Sequence, residues 1–265
     1  MSSAVDIDRL IGDAKLPSPS PVVLALYDAL ESGGAEEIGR IIESEPALAS
    51  RLLRIANSAF YGAIPVVTVR EAIVKVGTIE VAGLVLSTEI IRIFYGIPER
   101  RFNMQSFWEH CLQTACFSRL LSKFSPIAHP APLWMCGLLH DIGKLLLVRH
   151  LPIEYGEVLN RIEDGVSILE AEMGILGTTH AEVGGSLLRS WKLPDVFADC
   201  ALRHHELFTD LVSPESIVEA ANALASRRRE ATGVPGITTA GAERLQQEAG
   251  QLYESYRLLF GEYLR

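Results

Sequence analysis

The stretch Gly137-Leu138-Leu139-His140-Asp141-Ile142-Gly143-Lys144 places a histidine beside an aspartate inside an otherwise apolar segment. Apolar residues continue on both sides, from Trp134 to Leu147, so the pattern predicts a buried helix. A buried carboxylate without a partner is unfavourable by several kcal/mol, so Asp141 requires a cation or a set of hydrogen-bond donors. The pair alone fits two interpretations, a hydrogen-bonded pair in the core or two ligands of a metal ion.

Other histidines favour the metal interpretation. Two of the seven, His129 and His150, lie near prolines at predicted element ends and are interpreted as surface residues. The other five occur in helical patterns at wide spacing, so only the fold could bring them together, unlike the ligands of a short zinc-binding motif. The predicted metal ligands are His110, His140, Asp141, His180, His204 and His205.

A second set of motifs lies in the N-terminal half of the chain. It comprises Leu16-Pro17, the segment 42–48 with Glu45-Pro46, the segment 52–62 with Asn57-Ser58, Ala72-Ile73, Val76-Gly77 and, just before His110, Trp108. Together with the order of the histidines, these motifs resemble the HDOD domain, a bacterial signalling relative of the metal-dependent phosphohydrolases of the HD superfamily. The resemblance extends over residues 14–230.

The spacing of apolar residues predicts an all-α protein, because they recur every three or four positions and no alternating strand pattern stands out. With 48% hydrophobic residues, the 265-residue chain can bury a large core. The resemblance implies two closely packed helical bundles. We predict an N-terminal extension over 1–13, an HDOD-specific bundle over 14–100, an HD-like bundle over 101–230 and a C-terminal extension over 231–265 with two helices split near Gly250.

Helices are predicted in the HD-like bundle over 104–124, 130–149, 153–164, 167–174, 179–191, 194–204 and 213–229. Gly184-Gly185 lies within one of these helices, where glycine is unfavourable, and we expect it to allow close packing against the helix that carries His140. Asn57 either closes a turn or holds a ligand, and the turn is the preferred interpretation. Glu206 is expected to orient the imidazole of His205.

The chain also departs from the catalytic relatives that it resembles. HD phosphohydrolases close their metal site with a late aspartate, and the matching run over 217–225 carries Asn222 instead. A neutral amide is a weaker ligand for a hard cation, and losing a carboxylate weakens water activation. The Gly-Tyr-Pro loop of the cyclic-dinucleotide phosphodiesterases is also missing after His204-His205. The sequence therefore predicts a degenerate site that could hold iron, zinc or manganese but is poorly equipped for phosphodiester hydrolysis.

Three functional hypotheses follow from the resemblance. The first is a signalling module without catalytic residues, which acts through protein contacts in motility, stress or cyclic-di-GMP-linked regulation and uses hydrophobic grooves between the bundles. The second is a phosphohydrolase for a nucleotide or cyclic dinucleotide, with Asp141 and Lys144 in catalytic roles. In that hypothesis His110, His140 and Asp141 hold one ion, and His180, His204 and His205 hold another. The third is a ligand or redox sensor that uses the histidine pocket.

Charge and composition exclude several other classes. The net charge of −9 argues against general nucleic-acid binding, and the basic run Arg227-Arg228-Arg229 is interpreted as a solvated helix end. A basic-then-apolar leader and an apolar run of membrane-spanning length are both absent from the sequence, which predicts a cytoplasmic protein. The four cysteines are expected to be buried thiols, with Cys111 and Cys136 more suited to core packing than to the histidine cavity. The C-terminal segment is expected to dock on the body or on a second copy in a homodimer.

Overall fold

The computed structural model describes residues 5–13, 25, 29, 34–94, 102–126 and 133–260, and these residues form helices without any strand. The prediction of an all-α protein is confirmed. The helices are α1 Ile7–Asp13, α2 Ala35–Glu43, α3 Pro46–Ala56, α4 Val69–Val76, α5 Thr78–Ile93, α6 Met104–Leu121, α7 Leu133–Leu139, α8 Ile142–His150, α9 Pro152–Glu163, α10 Ile168–Leu176, α11 His180–Ser190, α12 Asp195–Arg203, α13 Pro214–Ala225 and α14 Thr239–Phe260. The Leu16-Pro17 motif and His129 lie outside the described residues.

Helices α2 to α5 pack into the N-terminal bundle. Helix α3 begins at Pro46, whose missing N–H is not needed in a first turn, and α4 begins with a capping box between Thr68 and Glu71. The loop between these helices is closed by Asn57, whose amide donates to the carbonyl of Val66 and accepts from its N–H, both at 2.8 Å. Asn57 therefore closes a turn, as predicted.

Helices α6 to α13 form the second bundle, in which one predicted helix is divided. The sequence predicts an uninterrupted helix through His140 and Asp141, but the structure ends α7 at Leu139 and begins α8 at Ile142. Asp141 occupies the N-cap position of α8 with φ −101° and ψ 8°. The prediction of one helix was wrong, because apolar periodicity gives no sign of a break when both halves are equally buried.

Glycines bring α8 and α11 into backbone contact beside this break. A Cβ atom added at Gly143 would lie 2.0 Å from the carbonyl oxygen of His180 and 2.6 Å from the nitrogen of Gly184. Gly184 in turn faces Gly143, whereas Gly185 faces the carbonyl of Ala198 on α12. The predicted close packing is thus confirmed for Gly184, while Gly185 serves a different neighbour.

A Gly143→Ala substitution is expected to lower the free energy of unfolding by about 1–3 kcal/mol, because backbone atoms must move apart to admit the methyl group. The change should also displace His180, which begins α11. Gly250→Ala is the matched control, since nothing lies within 4 Å of a Cβ there and the helix should gain about 0.5–1 kcal/mol. Urea unfolding of both variants measures the difference, and equal stabilities would contradict the close packing.

The C-terminal segment forms one helix, α14, which continues through Gly250. The prediction of two helices split there was wrong, since the glycine is tolerated in a helix held by tertiary contacts with α3 and α6. Helix α13 likewise ends at Ala225, not at residue 229, and Arg229 lies beyond it in a two-bond ion pair with Glu219, at 3.1 and 3.2 Å. Among the described residues, no helix is both long and apolar enough to cross a membrane.

A buried polar cluster joins the two bundles and α14. The carboxylate of Glu80 on α5 pairs with the guanidinium of Arg119 on α6 and accepts hydrogen bonds from the hydroxyls of Tyr61 and Tyr256. Arg119 also donates to both hydroxyls, at 3.0 and 3.1 Å. Glu80 and Arg119 are only 13% and 22% exposed, so each requires the other as a partner. All four cysteines are free and buried, as predicted.

Candidate metal centre

The fold brings the predicted metal ligands together at the break between α7 and α8. His110 comes from α6, His140 and Asp141 from the break itself, His180 from the first position of α11, and His204 and His205 from the end of α12. They form two groups, His110, His140 and Asp141 on one side and Asp141, His180, His204 and His205 on the other. Within each group the ligand atoms lie within 4.8 Å of one another.

Asp141 belongs to both groups because its two oxygens face in different directions. Oδ2 lies 3.3 Å from Nε2 of His140 and 3.7 Å from Nε2 of His110. Oδ1 lies 3.2 Å from Nε2 of His180 and 3.3 Å from Nε2 of His204. Such a carboxylate can bridge two cations, one on each side.

The ring nitrogens of the cluster point at one another. Nε2 of His110 lies 3.2 Å from that of His140, and Nε2 of His180 lies 3.3 Å from that of His204 and 3.0 Å from that of His205. Two ligand atoms that share one zinc or iron ion at about 2.0–2.2 Å are about 3.0–3.5 Å apart. The observed spacing therefore matches ligands of common ions.

Hydrogen bonds on the opposite ring nitrogens fix the tautomers of two histidines. Nδ1 of His140 lies 2.7 Å from the carbonyl oxygen of Gly137, and Nδ1 of His204 lies 2.7 Å from that of Ala201. An oxygen acceptor requires the hydrogen to be on Nδ1, so in the neutral rings Nε2 presents a lone pair. Lone pairs that face each other at these distances repel unless a cation lies between them.

Burial keeps most of these rings neutral. It lowers the pKa of His110 to about 4, that of His204 to about 3 and that of His205 to about 2, with the neighbouring histidines contributing to the decrease. For His180, burial and Lys144 would lower the pKa, but the carboxylates of Glu172 and Asp141 raise it above its usual value. Neutral imidazoles are the form that binds metals, so the cluster is prepared for a cation.

Asp141 remains ionised in this environment. Burial alone would raise its pKa, but the nearby imidazole of His140, the ammonium of Lys144 and the imidazole of His180 hold the pKa well below its usual range. The Lys144 ammonium lies 2.5 Å from Oδ2 and is therefore the cation beside Asp141. Oδ1 is buried without a well-formed hydrogen bond, although two imidazoles lie close to it. An orphaned carboxylate oxygen of this kind fits a bound cation.

Glu172 is a site residue that the sequence did not indicate. This carboxylate on α10 is fully buried and accepts from Nδ1 of His180 at 2.7 Å and from its backbone N–H at 2.9 Å. The hydroxyl of Tyr155 donates to it at 3.2 Å. A carboxylate behind a ligating imidazole fixes the ring and raises its basicity. The expected role for Glu206 was wrong, since Glu206 accepts from Arg203 instead.

Replacing Glu172 by glutamine is expected to weaken metal binding about 10- to 100-fold, because His180 loses its charged hydrogen-bond acceptor. Metal affinity is measured by competition with a chromogenic chelator. Glu157→Gln, an exposed position on α9, is the control and should bind metal as the unaltered protein does. An unchanged affinity in Glu172→Gln would contradict the role assigned to this carboxylate.

The sequence also draws attention to one amide and two cysteines. Asn222 is buried on α13 and accepts from Ser226 at 3.3 Å, and neither Cys111 nor Cys136 belongs to either group. The centre is partly accessible in both groups, at His110, whose side chain is 24% exposed, at Lys144, which is 16% exposed, and at the half-buried His205. The residues present therefore fit one or two transition-metal ions.

Comparison with known families now identifies the fold. The HDOD domain matches residues 16–207 of the chain. The chain belongs to the HDOD family. This assignment agrees with the family resemblance inferred from the Asn57-Ser58 block and the order of the histidines.

Relatives of this HDOD protein are distant. A protein of Treponema pallidum (strain Nichols) with no assigned function is 27% identical over 207 residues, which are 76% of this chain but 39% of that protein. A candidate phosphohydrolase from Shewanella amazonensis SB2B has a similar structure, with a TM-score of 0.76, 22% identity and coverage of 96% and 97% of the two chains. A candidate signal transduction protein from Marinobacter aquaeolei VT8 gives a TM-score of 0.73 and 20% identity, with coverage of 97% of this chain and 62% of the other. These identities establish the shared fold alone.

Proposed function

We propose that this HDOD protein is a signal-transduction module that acts through protein contacts and holds one or two metal ions in its histidine centre without hydrolysing a substrate. The observation that carries this proposal is the ligand set, five imidazoles around a single inner carboxylate. Imidazole nitrogen suits iron and zinc, whereas magnesium and manganese prefer oxygen ligands. Iron or zinc is therefore the proposed occupant, and motility, stress or cyclic-di-GMP-linked regulation is the proposed setting.

The shared carboxylate also favours a second candidate function, metal-dependent phosphohydrolysis. Asp141 faces both groups, as a ligand between two hydrolytic metal ions does, and Lys144 could stabilise negative charge on a phosphate. The name of the Shewanella relative points in this direction, and that of the Marinobacter relative points to signalling. The shortage of carboxylates supports the first proposal, because each lost carboxylate weakens water activation.

The two functions are separated by a turnover assay. Protein loaded with iron, zinc or manganese is incubated with bis(4-nitrophenyl) phosphate and with cyclic dinucleotides. The signalling proposal predicts no turnover above that of the same metals with the Asp141→Ala variant. Turnover that disappears in Asp141→Ala would establish the hydrolase instead.

An Asn222→Asp substitution is expected to raise metal affinity, since it restores the carboxylate that catalytic relatives carry at the matching position. Metal content after purification without a histidine tag measures the effect. Glu215→Gln, at a half-buried position of α13, controls for altered charge on this helix. If the metal content does not rise, the amide at residue 222 is not what weakens the site.

A further inference from the structure

A groove in the N-terminal bundle displays aliphatic side chains to solvent. It has a volume of about 660 Å³ and is formed by the loop after α3 together with one side of α4. Ile64, Val67 and Val74, on or beside this groove, are 79%, 79% and 81% exposed. A concentration of large aliphatic side chains on a surface marks an interaction site, whereas scattered single residues do not.

Side-chain contacts with the backbone hold the loop in one conformation. Asn57 is bonded twice to Val66, and the ammonium of Lys75 donates to the carbonyls of Gly62 and Ile64 at 3.3 and 2.6 Å. The carboxylate of Glu71 accepts from the N–H groups of Val67 and Thr68, both at 3.0 Å. Because these bonds order the loop beforehand, a partner would lose less conformational entropy on binding.

Charge indicates what kind of partner fits. Of the charged residues that line the groove, Glu71 and Lys75 are engaged with the loop backbone, while Arg70 has no hydrogen bond or ion pair within the described part of the chain. Arg70 is also exposed and lines a neighbouring depression of about 570 Å³ between α2 and α4. A free guanidinium beside an apolar groove complements a carboxylate.

We infer that this groove binds a helical segment of a partner protein that presents aliphatic side chains along one face and a carboxylate toward Arg70. Helices dock into such grooves through anchors spaced three to four residues apart. The inference rests on the proposed role in signalling and gives it a contact surface. It places that surface within the N-terminal bundle and not between the bundles, and it does not require metal in the histidine centre.

The experiment is a selection from a displayed library of helical peptides on the full chain, with counter-selection against the double variant Ile64→Asp/Val74→Asp. Enriched peptides are expected to carry aliphatic residues at helical spacing and at least one Asp or Glu. Their affinity should fall about 30-fold in Val74→Asp, as for a central contact residue, and about 10-fold in Arg70→Glu. Ile153→Asp, at a position 77% exposed on α9, should leave binding unchanged.

Three results with peptides would overturn the inference: no peptide enriched over the counter-selection, enriched peptides without acidic residues, or affinities unaffected by Arg70→Glu. Sedimentation of the unaltered protein and of Val74→Asp tests a second copy as occupant. A dimer abolished by Val74→Asp would assign the groove to self-association and overturn the inference. Circular dichroism of each variant shows whether it is folded, and its metal content shows whether the histidine centre is intact. A loss of peptide binding in a folded variant with unchanged metal content therefore concerns the groove and not the metal centre.

Discussion

Replacing Asp141 by alanine is expected to remove metal from both histidine groups at once. Each group depends on a different oxygen of this carboxylate, and no other carboxylate belongs to either group. The affinity should fall by more than the roughly 10- to 100-fold that is typical when a residue behind a ligand is changed. Elemental analysis and chelator competition measure the loss. Asp199→Ala, which removes an exposed carboxylate on α12, is the control.

Single histidine variants show whether the two groups hold separate ions. His110→Ala should reduce the metal content of the first group, and His205→Ala that of the second. If the unaltered protein binds two ions, each of these variants should retain one, whereas Asp141→Ala should retain none. Stoichiometric metal in Asp141→Ala would contradict the shared carboxylate.

An Arg119→Met substitution is expected to lower the free energy of unfolding by about 3 kcal/mol. It leaves the carboxylate of Glu80 buried at the junction of the bundles without its cation, and breaking a buried ion pair in this way is strongly destabilising. The double variant Glu80→Gln/Arg119→Met should recover much of the loss, since the charge without a partner is gone. Urea unfolding gives both values.

The control for this prediction is an exposed ion pair between Lys123, just after α6, and Glu248 on α14. Lys123 and Glu248 lie 2.7 Å apart but are 58% and 30% exposed, so Lys123→Met should change stability by less than about 1 kcal/mol. If Arg119→Met is no more destabilising than Lys123→Met, the buried cluster does not hold the bundles together. In that case the double variant should also show no gain in stability over Arg119→Met.

The sequence predicts the fold class correctly and singles out the residues that the fold brings into the histidine cluster, for a physical reason. The periodicity of apolar residues predicts helices, and polar residues such as His140 and Asp141 are conspicuous in an apolar segment. Family resemblance supplied the arrangement of the bundles, which periodicity alone cannot give. The close contact at Gly184 also follows from the sequence, because a glycine inside a helix is unfavourable unless a neighbour needs the space.

Other features depend on tertiary contacts that leave no local pattern. The break at His140 lies between two helices of equal burial, and Gly250 remains helical because α14 is held against the body. Glu172 looks like an ordinary helix residue, and only its burial shows that it supports His180. In the sequence, only the apolar neighbours of Glu172 could have indicated that this carboxylate is buried.

Helix α14 lies outside residues 16–207, the part of the chain that matches the HDOD domain, yet its Tyr256 completes the hydrogen bonding of Glu80 and Arg119 inside that range. A protein shortened to residues 16–207 would therefore lack α14 and expose part of the Glu80–Arg119 ion pair, which the hydroxyl of Tyr256 contacts in the intact chain. Homologues with a different C-terminus must satisfy those two charges in another way, by substituting them or by recruiting a hydroxyl from elsewhere. We therefore expect residues 80, 119 and 256 to covary among homologous sequences.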